Sequence, residues 1–157
     1  MGVAGELDEL KRRVLESRAR LAAMPASGSD APGPADPKTG ERWDRYHVLG
    51  HMNEFLPYWI EQLTSAIEVG APVGRGPGSA ERQAGIDGGR AVGEAALRGR
   101  VEAGLGDLVQ FLERLSPADL DRTITTRNRG EEPMRSAVET FLVGHVEEHC
   151  GQLTALG

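Results

Sequence analysis

The sequence predicts an all-α fold, a four-helix bundle, and two observations carry that prediction. Apolar residues recur at steps of three, four and seven in four stretches long enough for bundle helices, and no stretch shows the two-residue alternation of a half-buried strand. The 157 residues suit a single domain spanning 1–157, and a hydrophobic content of 39% lets it bury a core without disulfides.

The first helix carries Val3, Leu7, Leu10, Val14 and Leu21 on one face and charges such as Glu6, Arg12 and Glu16 on the other. Pro25 ends it, and residues 25–40, rich in Pro, Gly, Ser and Asp, read as a loop. The second helix runs from about Trp43 to Val69, with Val48, Met52, Phe55, Leu56, Trp59, Leu63 and Ile67 inward. Pro57 lies inside it, removes a backbone donor and predicts a bend.

Residues 70–89 are glycine rich and read as a link with a short helical turn around Glu81–Ile86. The third helix spans roughly Arg90–Leu115, although glycines at 93, 99, 104 and 106 each cost about 1 kcal/mol against alanine. Ser116 and Pro117 open a short helical start, and Thr123–Thr125 can form a brief extended piece. The fourth helix begins near Pro133, with Met134, Val138, Phe141, His145, His149 and Gln152 as its inner stripe. A helix of about 25 residues is about 38 Å long, and a 20-residue link reaches up to about 66 Å, so a plain up-down order is not required.

Net charge is −6, which argues against nucleic acid as a partner. No apolar run approaches the ~20 residues of a membrane span, so no membrane partner is expected. Residues 1–24 carry charges throughout and lack the apolar core of a signal peptide, and the single cysteine, Cys150, fits a reducing, cytoplasmic compartment.

The chain holds four histidines, in two pairs: His47 with His51, and His145 with His149. An i, i+4 spacing puts two imidazoles on one helix face, one turn apart, where both reach a single metal ion. A lone histidine on an apolar face is ordinarily a packed core residue. Two pairs in one bundle interior would each need partners or carry a desolvation cost, and a metal satisfies them together. His145–His149 also reads H-x-x-E-H, the inverted zinc-protease pattern, but only eight residues follow His149, and that class resembles much larger enzymes with a further ligand well downstream. The H-E-x-x-H form fails because Val146 stands where glutamate is required.

"RWDRYHVLGHMNEFLPYW" (42–59), with Trp43 eight positions before His51, and "GHVEEHCGQL" (144–153) together resemble the DinB/YfiT-like superfamily of four-helix-bundle metalloproteins. "VGRGPGSAERQAGID" (73–87) is similar to the link between helices two and three in actinobacterial members, and the resemblance covers nearly the whole chain. It implies an up-down-down-up bundle and a three-histidine site made by His51, His145 and His149, with His47 either a polar helix residue or a fourth ligand. Three nitrogen ligands leave open positions, as in catalytic sites, and suit zinc, nickel or iron(II).

The resemblance implies a small-molecule substrate and, since relatives commonly dimerise, a homodimer. Relatives include mycothiol- and bacillithiol-dependent transferases and the mycothiol-dependent maleylpyruvate isomerase, so a thiol transferase or isomerase is the leading expectation. There the metal activates a low-molecular-weight thiol such as mycothiol, and the protein needs no nucleophile of its own. Arg75, Arg82 or Arg90 would then hold an anionic substrate unless they simply face solvent. A metal-dependent hydrolase, with Glu54 or Glu148 as base, is the alternative, and a non-catalytic metal- or ligand-binding bundle is the third. Catalytic residues stay unassigned. Cys150 points away from the histidine face and reads as packing, Trp43 as an anchor at the entry to the second helix, and Tyr58 and Trp59 as core.

Overall fold

The structure, a computed structural model, describes residues 3–25, 29–76 and 78–157, with side chains from residue 5 onward. The inward position expected of Val3 and residues 26–28 of the first link fall outside that description. The fold is mostly helical. Its long helices are α1 (Val3–Ala23), α2 (Arg45–Val69) and α4 (Glu94–Arg114), with α3 (Ala80–Val92) before α4. After the short α5 (Pro117–Asp121) come strands β1 (Thr123–Thr126) and β2 (Gly130–Pro133). The chain ends in α6 (Met134–Ala137), a π-helical stretch (Val138–Val143) and α7 (Gly144–Leu156).

Helix directions follow from pairs of contacts. Glu6 meets Arg135 at 3.1 Å, Arg13 meets Glu139 at 3.0 Å, and Arg20 meets Thr154 at 3.3 Å, so α1 and the C-terminal helix run parallel. Trp43 stacks on His149 and Trp59 on Phe141, so α2 runs antiparallel to that helix. Arg98 caps the Leu21 carbonyl while Gly106 lies beside Arg18, which makes α4 antiparallel to α1. The α1 stripe of Leu7, Leu10, Val14 and Leu21 is buried as expected, facing α4 and α7. Each such side chain contributes about 1.5–3 kcal/mol when fully withdrawn from water.

Asp44 starts α2. Its carboxylate accepts the N–H groups of Tyr46 and His47, and His47 Nδ1 in return accepts the Asp44 N–H at 3.0 Å. This reciprocal pair satisfies orphan donors of the first turn. α2 then continues unbroken through Pro57, whose ring is exposed.

Three expectations need correction. The second half of the 70–89 link is helix, longer than the turn expected at Glu81–Ile86: α3 starts at Ala80, where Ser79 accepts the Arg82 N–H, and Arg90 belongs to it rather than to the next helix. Glycines that read as loop signals are instead the contact surface. A Cβ at Gly50 would collide with the Gly85 carbonyl, one at Gly89 with the Tyr46 carbonyl, and one at Gly85 would lie 2.5 Å from Glu54 Cβ. The absence of side chains lets the backbones of α2 and α3 touch, and this is the most extensive helix pair in the fold. The chain breaks at Gly93, φ +92°, before α4.

The second correction concerns strands. Thr123–Thr126 pairs antiparallel with Gly130–Pro133, and Val73 joins the edge by a parallel bridge to Thr126. β2 is polar and short, so no alternation marked it. The third is the π-helical stretch inside the fourth helix. It inserts an extra residue into one turn, and beyond it the buried apolar line is Val146, Cys150 and Leu153. The histidines sit beside that line, facing α2.

Candidate metal centre

His51 on α2 and His145 and His149 on α7 converge, with one ring nitrogen of each within 4.8 Å of the others. His51 and His149 are buried, 3% and 7% exposed. Aromatic rings wall the cluster: Phe55 stacks on His145 at 4.2 Å, Trp43 lies edge-on to His51 at 5.2 Å and stacks on His149 at 6.1 Å.

Burial pushes the His51 imidazole down to about 2, reinforced by repulsion from His149 and His145. Burial likewise pushes His145 down to about 3 and lowers His149. All three rings are therefore neutral at pH 7, and their lone pairs are not occupied by protons. His149 Nδ1 donates to Gln152 Oε1 at 2.9 Å, which fixes the tautomer and turns Nε2 toward the other rings. His145 Nδ1 lies 3.4 Å from the Phe141 carbonyl. His51 Nε2 and His145 Nε2 lie 3.4 Å apart, and His51 Nδ1 is buried without a partner.

This set fits a divalent metal. Two imidazole nitrogens at ~2.0–2.1 Å from a tetrahedral ion are ~3.3–3.4 Å apart by geometry, the separation already present between His51 and His145. A metal would take the Nε2 atoms, and the buried His51 Nδ1 has no hydrogen-bond partner among the described residues. Gln152→Leu removes the acceptor that orients His149. The expected result is a 10- to 100-fold weaker metal affinity in competition with a chelating dye, with no change in fold by circular dichroism.

The π turn aims His145. The Gly144 N–H donates to the Glu139 carbonyl five residues earlier, and a Cβ at Gly144 would lie 2.8 Å from that oxygen. Gly144→Ala, ordinarily a helix-favouring change, is thus expected to destabilise by about 1–3 kcal/mol in chemical denaturation and to weaken metal binding.

His47 is not brought to the cluster. It is not among the converging ring nitrogens, and its Nδ1 accepts the Asp44 N–H at the N-cap of α2. Among the arginines, Arg75 pairs with Glu54 and lies over the Tyr58 ring at 3.9 Å, and Arg90 pairs with Asp44 at 2.6 Å. Arg82 has no carboxylate partner among the described residues. Of the two candidate bases, Glu54 is tied to Arg75, while Glu148 lines the site and stands in no ion pair among the described residues. Cys150 is buried, donates to the Ser17 carbonyl at 3.8 Å, and burial raises its thiol pKa, so it is packing as expected. Trp59 is core, and Tyr58 is half-buried beneath Arg75.

Two clefts meet at the histidines. One, about 460 Å³, lies under the Pro34–Thr39 loop and Trp43; the other, about 360 Å³, lies beside Trp59, Phe141 and Asn128. His51, His145, Arg82 and Glu148 line both. A larger groove of about 790 Å³ between α1 and the C-terminal helix is elsewhere, and its arginines are paired with acids: Arg13 with Glu139, Arg135 with Glu6, Arg129 with Glu132. Sequence reasoning missed the orienting role of Gln152, although its i+3 spacing from His149 was a usable signal.

No family model matches the chain, and no curated protein matches it. Among solved structures, it is similar to the colibactin self-resistance protein ClbS in complex with a double-stranded DNA, with a TM-score of 0.70 over 96% of this chain and 94% of that one, at 11% identity. At that identity the likeness is one of fold. It corrects the expectation of no nucleic-acid partner: ClbS was crystallised on duplex DNA, so the charge argument does not exclude such a partner for this fold. Net charge is a sum over the whole surface and says little about any one face. No helix among the described residues is long and apolar enough to cross a membrane.

Proposed function

We propose that this chain is a divalent-metal-dependent enzyme of DinB/YfiT-like type, a four-helix bundle in up-down-down-up order that joins a low-molecular-weight thiol to, or isomerises with it, a small substrate. The bundle reading is supported by the helix directions: α1 parallel to the C-terminal helix, and α2 antiparallel to it. One observation carries the metal reading: three neutral imidazoles from two helices converge, two of them at the spacing of tetrahedral ligands.

A zinc, nickel or iron(II) ion held there supplies Lewis acidity toward a thiol or a water. The chain's own residues do the rest. His51, His145 and His149 present unprotonated nitrogens, Gln152 orients His149, and Trp43 and Phe55 keep one side of the cluster dry. The one thiol of the chain is sealed in the core, which supports a nucleophile brought from outside and a reducing, cytoplasmic setting.

A hydrolase is the second reading, favoured by one observation: Glu148 lines both clefts and stands in no ion pair among the described residues. Untagged protein should carry about one metal per chain by elemental mass spectrometry. With metal alone, a hydrolase turns over model esters or amides; a thiol transferase stays silent until the thiol is added. Absence of metal after reconstitution with zinc, nickel and iron(II) sinks both readings. A duplex-DNA titration by fluorescence anisotropy at low salt tests for the partner seen with ClbS.

A further inference from the structure

Arg82 stands apart from the arginines around it. Arg75, Arg90 and Arg45 are each neutralised, by Glu54, by Asp44 and by Glu94. The Arg82 guanidinium has neither a carboxylate nor a side-chain hydrogen bond among the described residues; its one defined neighbour is the Trp43 ring, 5.9 Å from its Cζ. It is half-buried and lines both clefts where they meet the histidines.

Its placement is built. Ser79 caps α3 at the Arg82 N–H, and Gly85 and Gly89 seat the same helix directly on α2. A guanidinium held half out of water beside three neutral rings lacks a counter-charge. With a divalent ion on the histidines, the ion and Arg82 together would carry three positive charges, and Glu148 offers one negative charge in return. The balance is left for the ligand.

We infer that Arg82 is the anchor for a carboxylate or similar planar oxyanion of the substrate, held in the same molecule as the donor atom that faces the histidines. The assignment rests on the metal reading above for the second half of that ligand, and on Arg82 alone for the first. A planar fork of N–H donors suits a carboxylate bidentately, and a partly buried charged pair of this kind is worth about 10- to 100-fold in affinity.

Two thiols of equal length test it: 3-mercaptopropionate, which carries a carboxylate, and 3-mercaptopropanol, which does not. Cobalt(II)-loaded protein reports each through its thiolate-to-cobalt absorption. The carboxylate thiol should bind 10- to 100-fold more tightly, the preference should shrink with added salt, and Arg82→Gln should erase it while cobalt affinity and mercaptopropanol affinity hold. Arg82→Lys should restore part of it. Equal affinities in the parent, or an equal loss for both thiols in Arg82→Gln, overturn the assignment. Metal-free protein separates the two ideas. Should cobalt fail to bind, the metal reading falls. Quenching of tryptophan fluorescence by 3-mercaptopropionate, lost in Arg82→Gln, then still upholds the anchor, and quenching unchanged in that variant overturns it.

Discussion

His149→Ala protein is expected to emerge from reconstitution without metal, its affinity reduced by at least ~1000-fold. Loss of an outer partner such as Gln152 costs 10- to 100-fold, and removing the ligand itself also discards the Gln152 contact that holds the ring. Stability gives a second readout. A metal present at ~1000 times its dissociation constant adds about 4 kcal/mol to folding. At about 2–4 °C per kcal/mol for a domain of this size, chelation should lower the parent's melting temperature by about 10 °C and leave the variant's unmoved.

His47→Ala is the control. It belongs to the other i, i+4 pair but only caps α2, so metal content should stay at the parent level while stability falls by about 1 kcal/mol. Metal retained by His149→Ala, or lost equally from both, would refute the three-histidine assignment.

Gly89→Val is expected to destabilise the fold at the α2–α3 contact. Its new Cβ would meet the Tyr46 carbonyl, a backbone atom of α2 that cannot swing aside, so α3 must lift off. Overpacking of this kind costs about 1–3 kcal/mol, and a β-branched residue at a backbone contact sits at the upper end, a melting decrease of about 6–12 °C. The adjacent residue gives the opposite result. A Cβ at Gly88 meets nothing within 4 Å, so Gly88→Ala should stabilise by about 0.5–1 kcal/mol through helix propensity alone. Thermal melts of the two variants side by side decide the point; equal shifts would mean that the α2–α3 contact is not the tight one described.

The contrast between these neighbours explains what was hidden in the sequence. α1 and α2 were legible because Leu7, Leu10 and Val14, and Val48, Met52 and Phe55, repeat at helical spacing. α3 was legible only as a turn around Glu81–Ile86, because Ile86 is its one buried large side chain among the described residues and the rest of its contact with α2 is made by Gly85 and Gly89, which leave no apolar period. The hairpin was half visible, as the extended Thr123–Thr125, since β2 is Gly-Glu-Glu-Pro and carries no strand signal. The π turn was invisible because Val138, Phe141 and His145 keep a regular helical spacing across it. The histidine cluster was legible from its two pairs, but spacing left His47 and His51 on equal terms. The resemblance singled out His51, and their places on α2 distinguish them: His51 converges with the α7 histidines, while His47 sits in the first turn beside Asp44. Arg82 was one of three equivalent arginines until the ion pairs of the other two were seen.

The cluster is assembled from distant parts of the chain: His51 and His145 are 94 residues apart, and Arg13 reaches Glu147 across 134. During synthesis His51 leaves the ribosome long before its partners exist. The early helices can pack on one another through local contacts, but a growing chain holds a single ring of the three. Tight capture of a metal would thus wait for the C-terminal helix to dock between α1 and α2, an inherently slow, non-local step. Half-made or truncated chains would not withdraw metal from the cell, and a loaded chain would be one that had finished folding.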